Sequence, residues 1–473
     1  MKKIHISFCM AVMMLAATSC DFLTTENIGK STTKTFFSDI TSLEPAMNGV
    51  YHYTNSFYNA YFIPYSEIAA DEWILSTANA GIWMDYQDYI STSDYETSAV
   101  GYIWKNGYSI INNTNEIIHY APKLKDQYPG HADLIDNVTA SAYFIRALIH
   151  HDLCLAYGQN YTFTPDASHP GIAIRNTVPG LNDIVKRSPV KDVYSQIISD
   201  LKTAERLFSN CSNTAEYATP LACKALLARI YLYMNDWENA AAYASEVIEE
   251  KPLASRDNYA RMFCEPKYLD GEIIFRLNGF GQSSNLYSMA YFESPKIRPA
   301  EKIRSLLSGQ DDIRSSMFSM SAGGKVYDGL VLKYCVTADV ASDEERYISP
   351  IVLRNSEMYL IRAEARCNLG KLAEAADDIK VLEARACGTV KEDIALDYSG
   401  KDELYAIINE ERQKELCFEG MRLFDITRRH EDLVRDASST SSVKTIAYPD
   451  PRFVLQIPYI EIDVNGDMVQ NPL

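Results

Sequence analysis

The chain lacks two features: a long apolar segment beyond its first twenty residues, and an excess of basic residues. Its 473 residues carry a formal charge of −18, with a pI near 5.0. This charge argues against nucleic acid and anionic lipid as partners, but leaves neutral ligands such as sugars open. Because no later run of about eighteen apolar residues exists, we expect no membrane-spanning helix in the mature chain. The length permits a large core and as many as two or three domains.

The short motifs of common catalytic and cofactor sites are also missing. There is no HExxH, Walker loop, GxSxG or GxGxxG, and "NGFGQSS" lacks the third glycine of the last motif. The calcium-loop start in "DVNGDM" fails because Met468 stands where glycine is needed. His150 and His151 are about 100° apart on a predicted helix, so we predict one packed and one solvated rather than a metal pair. We therefore expect no cofactor and no metal, although a structural calcium elsewhere stays open.

Regular cysteine spacing is absent. None of the ten cysteines forms a CxxC pair, so neither a zinc site nor a disulfide framework is indicated. In "HHDLCLAYG", "LACKALLARIYL" and "AEARCNLG" the cysteine lies among apolar residues of predicted helices, where it is expected to be a small buried hydrophobe. The disulfide state of the eight cysteines beyond Cys20 stays open.

The N-terminus has the pattern of an export signal. "MKK" is a basic n-region, and "ISFCMAVMMLAA" is an apolar segment too short to span a bilayer comfortably. Small residues then lead to a cysteine in "LAATSC". This pattern is typical of a bacterial lipoprotein signal, residues 1–19, with Cys20 lipidated as the first mature residue. A plain secretory signal is the alternative reading.

Helical periodicity dominates the rest of the chain. Two segments, "LACKALLARIYLYMNDWENAAAYASEVIEE" and "EMYLIRAEARCNLGKLAEAADDIKVLEARA", each predict two helices joined by a short turn. Alanines spaced by twelve residues, Ala228 with Ala240 and Ala363 with Ala375, let the paired helices approach closely, as in tetratricopeptide units. Between the pairs, residues 255–350 form an irregular insertion with strand-like pieces such as "EIIFRLN" and "LVLKYCV". The predicted class is mostly α, with tetratricopeptide-like helix pairs forming a scaffold and loop-rich insertions carrying minor β.

Two patterns offer candidate functional residues. Adjacent carboxylates, Asp71 and Glu72 in "AADEWIL", are the best candidate for a glycosidase pair, with nothing marking the second carboxylate that such chemistry needs. The stronger pattern is aromatic: the chain has 32 tyrosines, and "GIWMDYQDYISTSDY" places several aromatics among Asp, Ser and Thr with poor periodicity. Aromatic rings with polar edges suit sugar recognition, while packing is the alternative. The predicted ligand-binding residues are Trp83, Tyr86, Tyr89, Tyr95 and Tyr291.

The densest charge lies in "NEERQKELCFEG", residues 409–420. Four-residue steps from Leu404 through Ile408 place Arg412 on the apolar face of a predicted helix. A guanidinium there needs acceptors, and Glu415 and Glu419 lie near the same side. We interpret Arg412, Glu415 and Glu419 as a partly buried structural ion network rather than a catalytic site.

Several of these motifs occur together in one family. The chain resembles the SusD/RagB family of Bacteroidetes outer-membrane lipoproteins, with the helix 409–420 the most specific match. The matching stretches are "MNGVY", "YIWKNGYSIINNTNEII", "SAYFIRALIHHDLCLAYG", "SPVKDVYSQIISDLKTAERLF", "ALLARIYLYMNDWENAAAYASEVIE", "LRNSEMYLIRAEA", "NEERQKELCFEGMRLFDITR" and "IPYIEIDVNGDMVQNPL".

The resemblance implies a binding protein without catalytic activity. Such a protein would be anchored on the cell surface through Cys20, would capture an oligosaccharide, and would deliver it to a SusC-like TonB-dependent transporter. It also implies an N-terminal region, residues 20–220, and a C-terminal region, residues 221–473, within one compact unit. Three alternatives remain at this stage: binding of peptides or glycopeptides, a hydrolase using Asp71 or Glu72, and a scaffold whose grooves hold partner proteins.

Overall fold

A computed structural model gives the fold of most of the chain. The larger compact unit begins at Leu43, and the residues up to Ser42 belong to a separate unit. In that separate unit, the Thr32 hydroxyl caps α1 (Thr33–Phe36) by accepting a hydrogen bond from the Thr35 amide. The predicted boundaries at residues 19 and 220 stay predictions. The structure describes residues 32–79, 81–90, 99–180, 183–211, 214–269, 271–308, 311–335 and 347–472.

Helices, most of them long, form most of the first half of the larger unit. They are α2 (Leu43–Phe57), α3 (Ile63–Ile68), α4 (Met84–Gln87), α5 (Ala99–Gln127), α6 (Ala132–Tyr157), α7 (Val190–Leu207), α8 (Pro220–Tyr233) and α9 (Trp237–Glu250). A π-helical turn, Tyr58–Phe62, connects α2 to α3. The start of α8 follows from its sequence, because Pro220 fits a first helical turn and the Thr219 hydroxyl accepts from the Ala222 amide.

The second half contains three longer helices and several short ones. They are α10 (Arg261–Cys264), α11 (Asn285–Ala290), α12 (Glu301–Leu306), α13 (Asn355–Asn368), α14 (Leu372–Cys387), α15 (Lys401–Leu416), α16 (Arg422–Arg428) and α17 (Tyr459–Val464). Helix α14 ends where Gly388 adopts a left-handed backbone, a common helix stop. No helix in the described part of the chain is both long and apolar enough to cross a bilayer.

The helices stack in an order that joins the two predicted pairs. Contacts run from α5 to α6, α7, α8 and α9 in turn, and α9 then packs directly on α13, which contacts α14 and α15. The alanines predicted to allow close approach, Ala228, Ala240, Ala363 and Ala375, are all fully buried. The mostly α fold built on paired helices is therefore confirmed. The chain leaves this stack after α9, forms the insertion, and rejoins the stack at α13.

Strands are short and pair only two by two in the described residues. The antiparallel pairs are β1 (Trp73–Leu75) with β3 (Ile297–Pro299), β2 (Ile273–Arg276) with β6 (Ile351–Arg354), β4 (Ser319–Ala322) with β5 (Lys325–Asp328), and β7 (Leu433–Val434) with β8 (Thr445–Ile446). "EIIFRLN" forms β2 as predicted, but the strand expected in "LVLKYCV" is wrong. Its Leu332–Tyr334 segment is a 3₁₀ turn, and Lys333 there is buried to reach Glu419.

Two further predictions concern buried side chains. The expectation of one solvated histidine is wrong, because His150 and His151 are both fully buried in α6. His150 Nδ1 lies 2.9 Å from the Arg146 carbonyl, while the His151 ring meets the edges of Tyr194 and Tyr233. Burial, followed by Arg146, lowers the pKa of His150 to about 3, so this ring stays neutral at physiological pH.

The cysteines follow the sequence interpretation more closely. Cys154, Cys223 and Cys367, the three expected to be buried hydrophobes, are buried in helices. All eight described cysteines are free thiols, and only Cys211 and Cys387 are partly exposed. Burial raises the pKa of the Cys154 thiol to about 12, which keeps it protonated and unreactive.

Candidate functional site

One end of the β1–β3 ladder positions the aromatic loops. Trp73 pairs with Pro299 and Leu75 with Ile297, so the residues after β1 and those before β3 leave the ladder at the same end. The Ser76 amide extends this pairing with a 2.9 Å bond to the Lys296 carbonyl. Because the strands are antiparallel, residues 76–79 and 81–90 lie in a loop beside that of residues 291–296. We call this region the ladder-end loops.

Trp83 holds an unusual backbone conformation in the first of these loops. Its φ of 69° is left-handed, which is rare for a large side chain and costs energy unless the surroundings enforce it. The tryptophan is half-exposed, and its neighbours Ile82, Met84 and Ile90 are exposed. This cluster of apolar side chains at the surface has no role in the core. Strained backbone of this kind is often found at ligand sites.

Hydrogen bonds hold the same loop in place. The Asp88 carboxylate accepts bonds from the Ser441 hydroxyl, 2.8 Å, and the Ser442 amide, 2.9 Å. Tyr89 donates its hydroxyl to the Ala69 carbonyl at 2.6 Å, and the Arg435 guanidinium lies over the Tyr89 ring at 5.5 Å. The loop therefore presents Trp83 from a fixed platform, which lowers the entropy cost of binding a ligand.

The two predicted ligand-binding tyrosines of this loop differ in exposure. Tyr86 is only 2% exposed, and its ring packs edge-on against Tyr65 of α3 at 5.1 Å, so in this conformation it is part of the core. Tyr89 is half-buried and uses its hydroxyl to hold the loop. Both line a small pocket of about 60 Å³, a volume that holds water but not a sugar ring. Ligand binding by Tyr89 stays a prediction.

The remaining predicted residues have different outcomes. Tyr291 lies half-buried in the second ladder-end loop, where its hydroxyl donates to Glu293 at 2.8 Å. Its ring adjoins Phe292 at 5.1 Å and Tyr287 at 5.9 Å, so it belongs to an aromatic cluster. Tyr95 and Cys20 lie outside the described residues. The structure thus places Trp83 and Tyr291 on neighbouring loops.

The adjacent carboxylates Asp71 and Glu72 are both buried. Arg422 and Lys302 bind the Asp71 carboxylate at 2.7 and 2.6 Å. Burial works against ionisation of Asp71, but these two cations outweigh it and lower its pKa to about 2. Burial raises the pKa of Glu72, whose oxygen accepts a 3.3 Å bond from the Phe418 amide. These contacts link the residues before β1 to the start of α16 and to the segment before it. The two carboxylates therefore do not form an open catalytic cleft.

The glutamates of α15 and the turn after it enter a buried ion network. Glu415 accepts from Arg354 at 2.7 Å, from Arg385 at 2.6 Å and from Arg314 at 3.1 Å. Burial opposes the charge of Glu415, yet these arginines hold its pKa well below the usual range. Arg354 also binds Glu419 at 2.8 Å. The network joins α15 to β6, to α14 and to the insertion.

Arg412 is buried as predicted, but its predicted partners are wrong. It binds Asp425 of α16 at 2.8 Å and lies 3.9 Å from Glu357 of α13, instead of reaching Glu415 or Glu419. Helix spacing does not explain this outcome, because Arg412 and Glu415 lie only about 60° apart around α15. Tertiary packing decides it: three other arginines bind Glu415, while α16 brings Asp425 to Arg412. Sequence spacing identified the buried face but not the element packed against it.

A second concave surface was not identified from the sequence. A groove of about 820 Å³ opens between the first half of α5, residues 173–175 and 183–185, and the segment from Pro458 to Met468 that includes α17. We call it the α5–α17 groove. Its aromatic residues Tyr102, Trp104 and Tyr108 belong to the periodic stretch "YIWKNGYSIINN". The period correctly predicts α5, but it cannot show that the residues from α17 leave part of the aromatic face uncovered.

Comparison with known proteins agrees with this architecture. Residues 314–473 match the family model described as "SusD family", and residues 21–232 match the model described as "Starch-binding associating with outer membrane". SusD-like protein P2 of Formosa agariphila is 26% identical over 90% of this chain and 91% of its own length. SusD-like protein P38 of the same organism is 22% identical over 91% and 92%.

Solved structures show the same fold. A SusD superfamily protein of Bacteroides thetaiotaomicron aligns with a TM-score of 0.80 and 22% identity, covering 92% of this chain and all of that one. A SusD-like carbohydrate binding protein of Bacteroides vulgatus aligns at 0.73 with 18% identity, covering 91% and 97%. The helix stack and its ladder-end loops therefore define a SusD-type helical scaffold. The two models together match residues 21–232 and 314–473, so the chain belongs to the SusD/RagB family.

Proposed function

We propose that this chain is a cell-surface glycan-binding lipoprotein that captures an oligosaccharide and delivers it to a SusC-like TonB-dependent transporter. The observation that carries the proposal is the exposed Trp83 loop, held in a left-handed conformation beside the loop of Tyr291. Family membership supports the ligand class, since the model matching residues 21–232 is described as starch-binding. In this proposal the protein binds its ligand without chemical change.

The ladder-end loops have the chemistry that a sugar ligand needs. A sugar ring presents C–H faces to aromatic planes and hydroxyls to polar edges, and tryptophan offers a large rigid face at low entropy cost. Exposed Ile82 and Met84 extend the apolar surface beside Trp83. The anchored loop provides this face before the ligand arrives, which favours capture of a dilute ligand.

Binding is tested by affinity electrophoresis and calorimetry with a panel of neutral and acidic polysaccharides. Trp83→Ala is expected to weaken glycan binding by roughly tenfold, because loss of a buried aromatic contact removes about 1–2 kcal/mol. Trp83→Phe retains a smaller face and should lose less. Trp237→Ala, at the start of α9, is the matched control, since it removes another half-exposed tryptophan. Equal affinity of Trp83→Ala and wild type would show that the loop is not the site.

The second candidate ligand, a peptide or glycopeptide, is resolved by the same assay. A peptide library is added to the panel. If peptides alone bind, and Trp83→Ala weakens their binding, the ligand is a peptide and the glycan proposal is wrong. Release of new reducing ends from the glycans during incubation would contradict a purely binding role.

Anchoring and partnership are separate parts of the proposal. We expect Cys20→Ala to move the protein from the outer-membrane fraction to the soluble fraction, because a lipidated cysteine would be the sole anchor. A TonB-dependent transporter should co-purify with the tagged wild-type chain from mild detergent. Recovery of Cys20→Ala in the membrane fraction would argue against the lipid anchor.

A further inference from the structure

We propose that the α5–α17 groove is a second saccharide-binding site, separate from the ladder-end loops. The inference rests on the proposed function, since it assigns a second site for the same class of ligand. Its volume of about 820 Å³ lies within the range of about 300–1,000 Å³ typical of small-molecule sites.

One wall of the groove is an aromatic surface. Tyr102 is 39% exposed and lines the groove, and Tyr61 stacks on its ring at 5.4 Å with planes 18° apart. Behind it, Trp104 and Tyr108 lie 4.7 Å apart along α5. Stacking on Tyr61 fixes the Tyr102 ring, so this platform exists before a ligand binds. A fixed aromatic plane beside open space suits the C–H face of a sugar ring.

Polar groups without partners complete the groove. The side-chain oxygen of Asn112, one turn beyond Tyr108 on α5, is buried and has no hydrogen-bond partner among the described residues. Leaving a buried acceptor unsatisfied costs about 1–3 kcal/mol, so a rotation of the Asn112 amide that presents this oxygen to a ligand hydroxyl would recover that cost. This is the observation that points most directly to a hydroxyl-bearing ligand.

Two charged side chains on opposite sides of the groove are also available to a ligand. Arg175 and Glu461 both line the groove, and neither forms an ion pair within the described part of the chain. Both lie near Tyr108, whose pKa is raised chiefly by burial; Glu461 raises that pKa further and Arg175 lowers it. A guanidinium offers paired donors and a carboxylate paired acceptors, which match the adjacent hydroxyls of a sugar. The mixed charge favours a hydroxyl-rich ligand over a purely apolar one.

The rim of the groove explains why an uncharged apolar partner is not the better choice. Ile184, 71% exposed, and Val464, 74% exposed, stand at its edges, while the interior holds the polar groups described above. A hydrophobic segment of a partner protein would cover the rim but would leave Asn112, Arg175 and Glu461 desolvated and unpaired, at considerable cost. A sugar can contact the apolar rim with its C–H faces and the polar interior with its hydroxyls.

The test separates the two sites in one set of titrations. The probes are maltoheptaose, a mannan oligosaccharide and an oligogalacturonate, and the one that wild type binds most tightly is used for calorimetry. Affinities are compared for Trp83→Ala, Tyr102→Ala, Asn112→Ala and the double variant Trp83→Ala with Tyr102→Ala. Tyr53→Ala is the matched control, because Tyr53 is an exposed tyrosine on α2 that does not line the groove.

We expect Trp83→Ala to leave residual binding that Tyr102→Ala weakens roughly three- to tenfold, as loss of one aromatic contact predicts. Asn112→Ala should weaken the same residual binding while leaving the melting temperature unchanged or higher, because it removes an unsatisfied acceptor. A structural role would instead lower the melting temperature. Tyr53→Ala should match its parent in both measurements.

Four other outcomes overturn the inference. Residual binding that is indifferent to Tyr102→Ala and Asn112→Ala, or complete loss of binding in Trp83→Ala alone, removes the groove and leaves the proposed function intact. Binding of peptides, and not of the three probes, in a Tyr102-dependent manner would reassign the groove to a protein partner. Failure of wild type to bind any of the probes or any glycan of the panel removes the proposed function, and this inference with it.

Discussion

Arg354 is the residue whose removal tests the buried ion network most severely. It is 1% exposed at the end of β6, and its guanidinium donates five hydrogen bonds of 2.6 to 2.9 Å to Glu272, Glu415 and Glu419. Arg354→Ala would leave these carboxylates buried with fewer cations. Arg385 still binds Glu272 and Glu415, and Lys333 still binds Glu419, so the loss is partly compensated.

The expected cost follows from this arrangement. Breaking a buried ion pair by removing one partner typically costs about 3–5 kcal/mol, and the remaining cations place Arg354→Ala near the lower half, about 3–4 kcal/mol. With an unfolding entropy of about 2 cal/mol/K per residue over a unit of this size, that loss lowers the melting temperature by about 4 °C. The protein should still fold and should still bind the glycan, because the Arg354 guanidinium bonds Glu272, Glu415 and Glu419 and no residue of the ladder-end loops.

The assay is urea unfolding at pH 7, followed by circular dichroism, with two comparison variants. Arg412→Ala should lose less than Arg354→Ala, since Arg412 donates one hydrogen bond, to Asp425, and Asp425 retains Arg428. Lys125→Ala, which breaks an exposed pair with Asp136, should lose less than about 1 kcal/mol. If Arg354→Ala unfolds like Lys125→Ala, the network does not stabilise the fold and the reasoning fails.

Two further predictions concern stability. Burial raises the pKa of Glu72, so the native state holds its proton more tightly than the unfolded chain, and stability from this group falls as pH rises above about 4.3. Glu72→Gln should therefore gain stability relative to wild type at pH 8 more than at pH 5 in urea unfolding; an equal difference at both pH values would refute this. Gly107→Ala should destabilise by about 1–2 kcal/mol, because its Cβ would meet Leu153 of α6 at 2.8 Å, whereas Gly49→Ala in α2 meets nothing and should stabilise by about 0.5–1 kcal/mol. Thermal melts that shift both glycine variants in the same direction would contradict the contact.

The sequence alone determined the helical scaffold and its family. Periodic apolar residues and paired alanines are local signals, readable because helix geometry brings residues three, four and seven positions apart to one face. Those signals predicted α8 with α9 and α13 with α14, and the burial of Arg412. The left-handed backbone and the exposure of Trp83 have no such local signal in the sequence.

Tertiary structure decided the partners and the surfaces. Arg412 could be placed on a buried face from its spacing, but only the packing of α16 and α13 against α15 selects Asp425 and Glu357 over nearer glutamates. Tyr86 and Trp83 lie three residues apart in one loop, yet pairing of β1 with β3 and the anchors from residues 435–442 turn one inward and leave the other exposed. Contacts between residues hundreds of positions apart set these outcomes, and no period in the sequence encodes them.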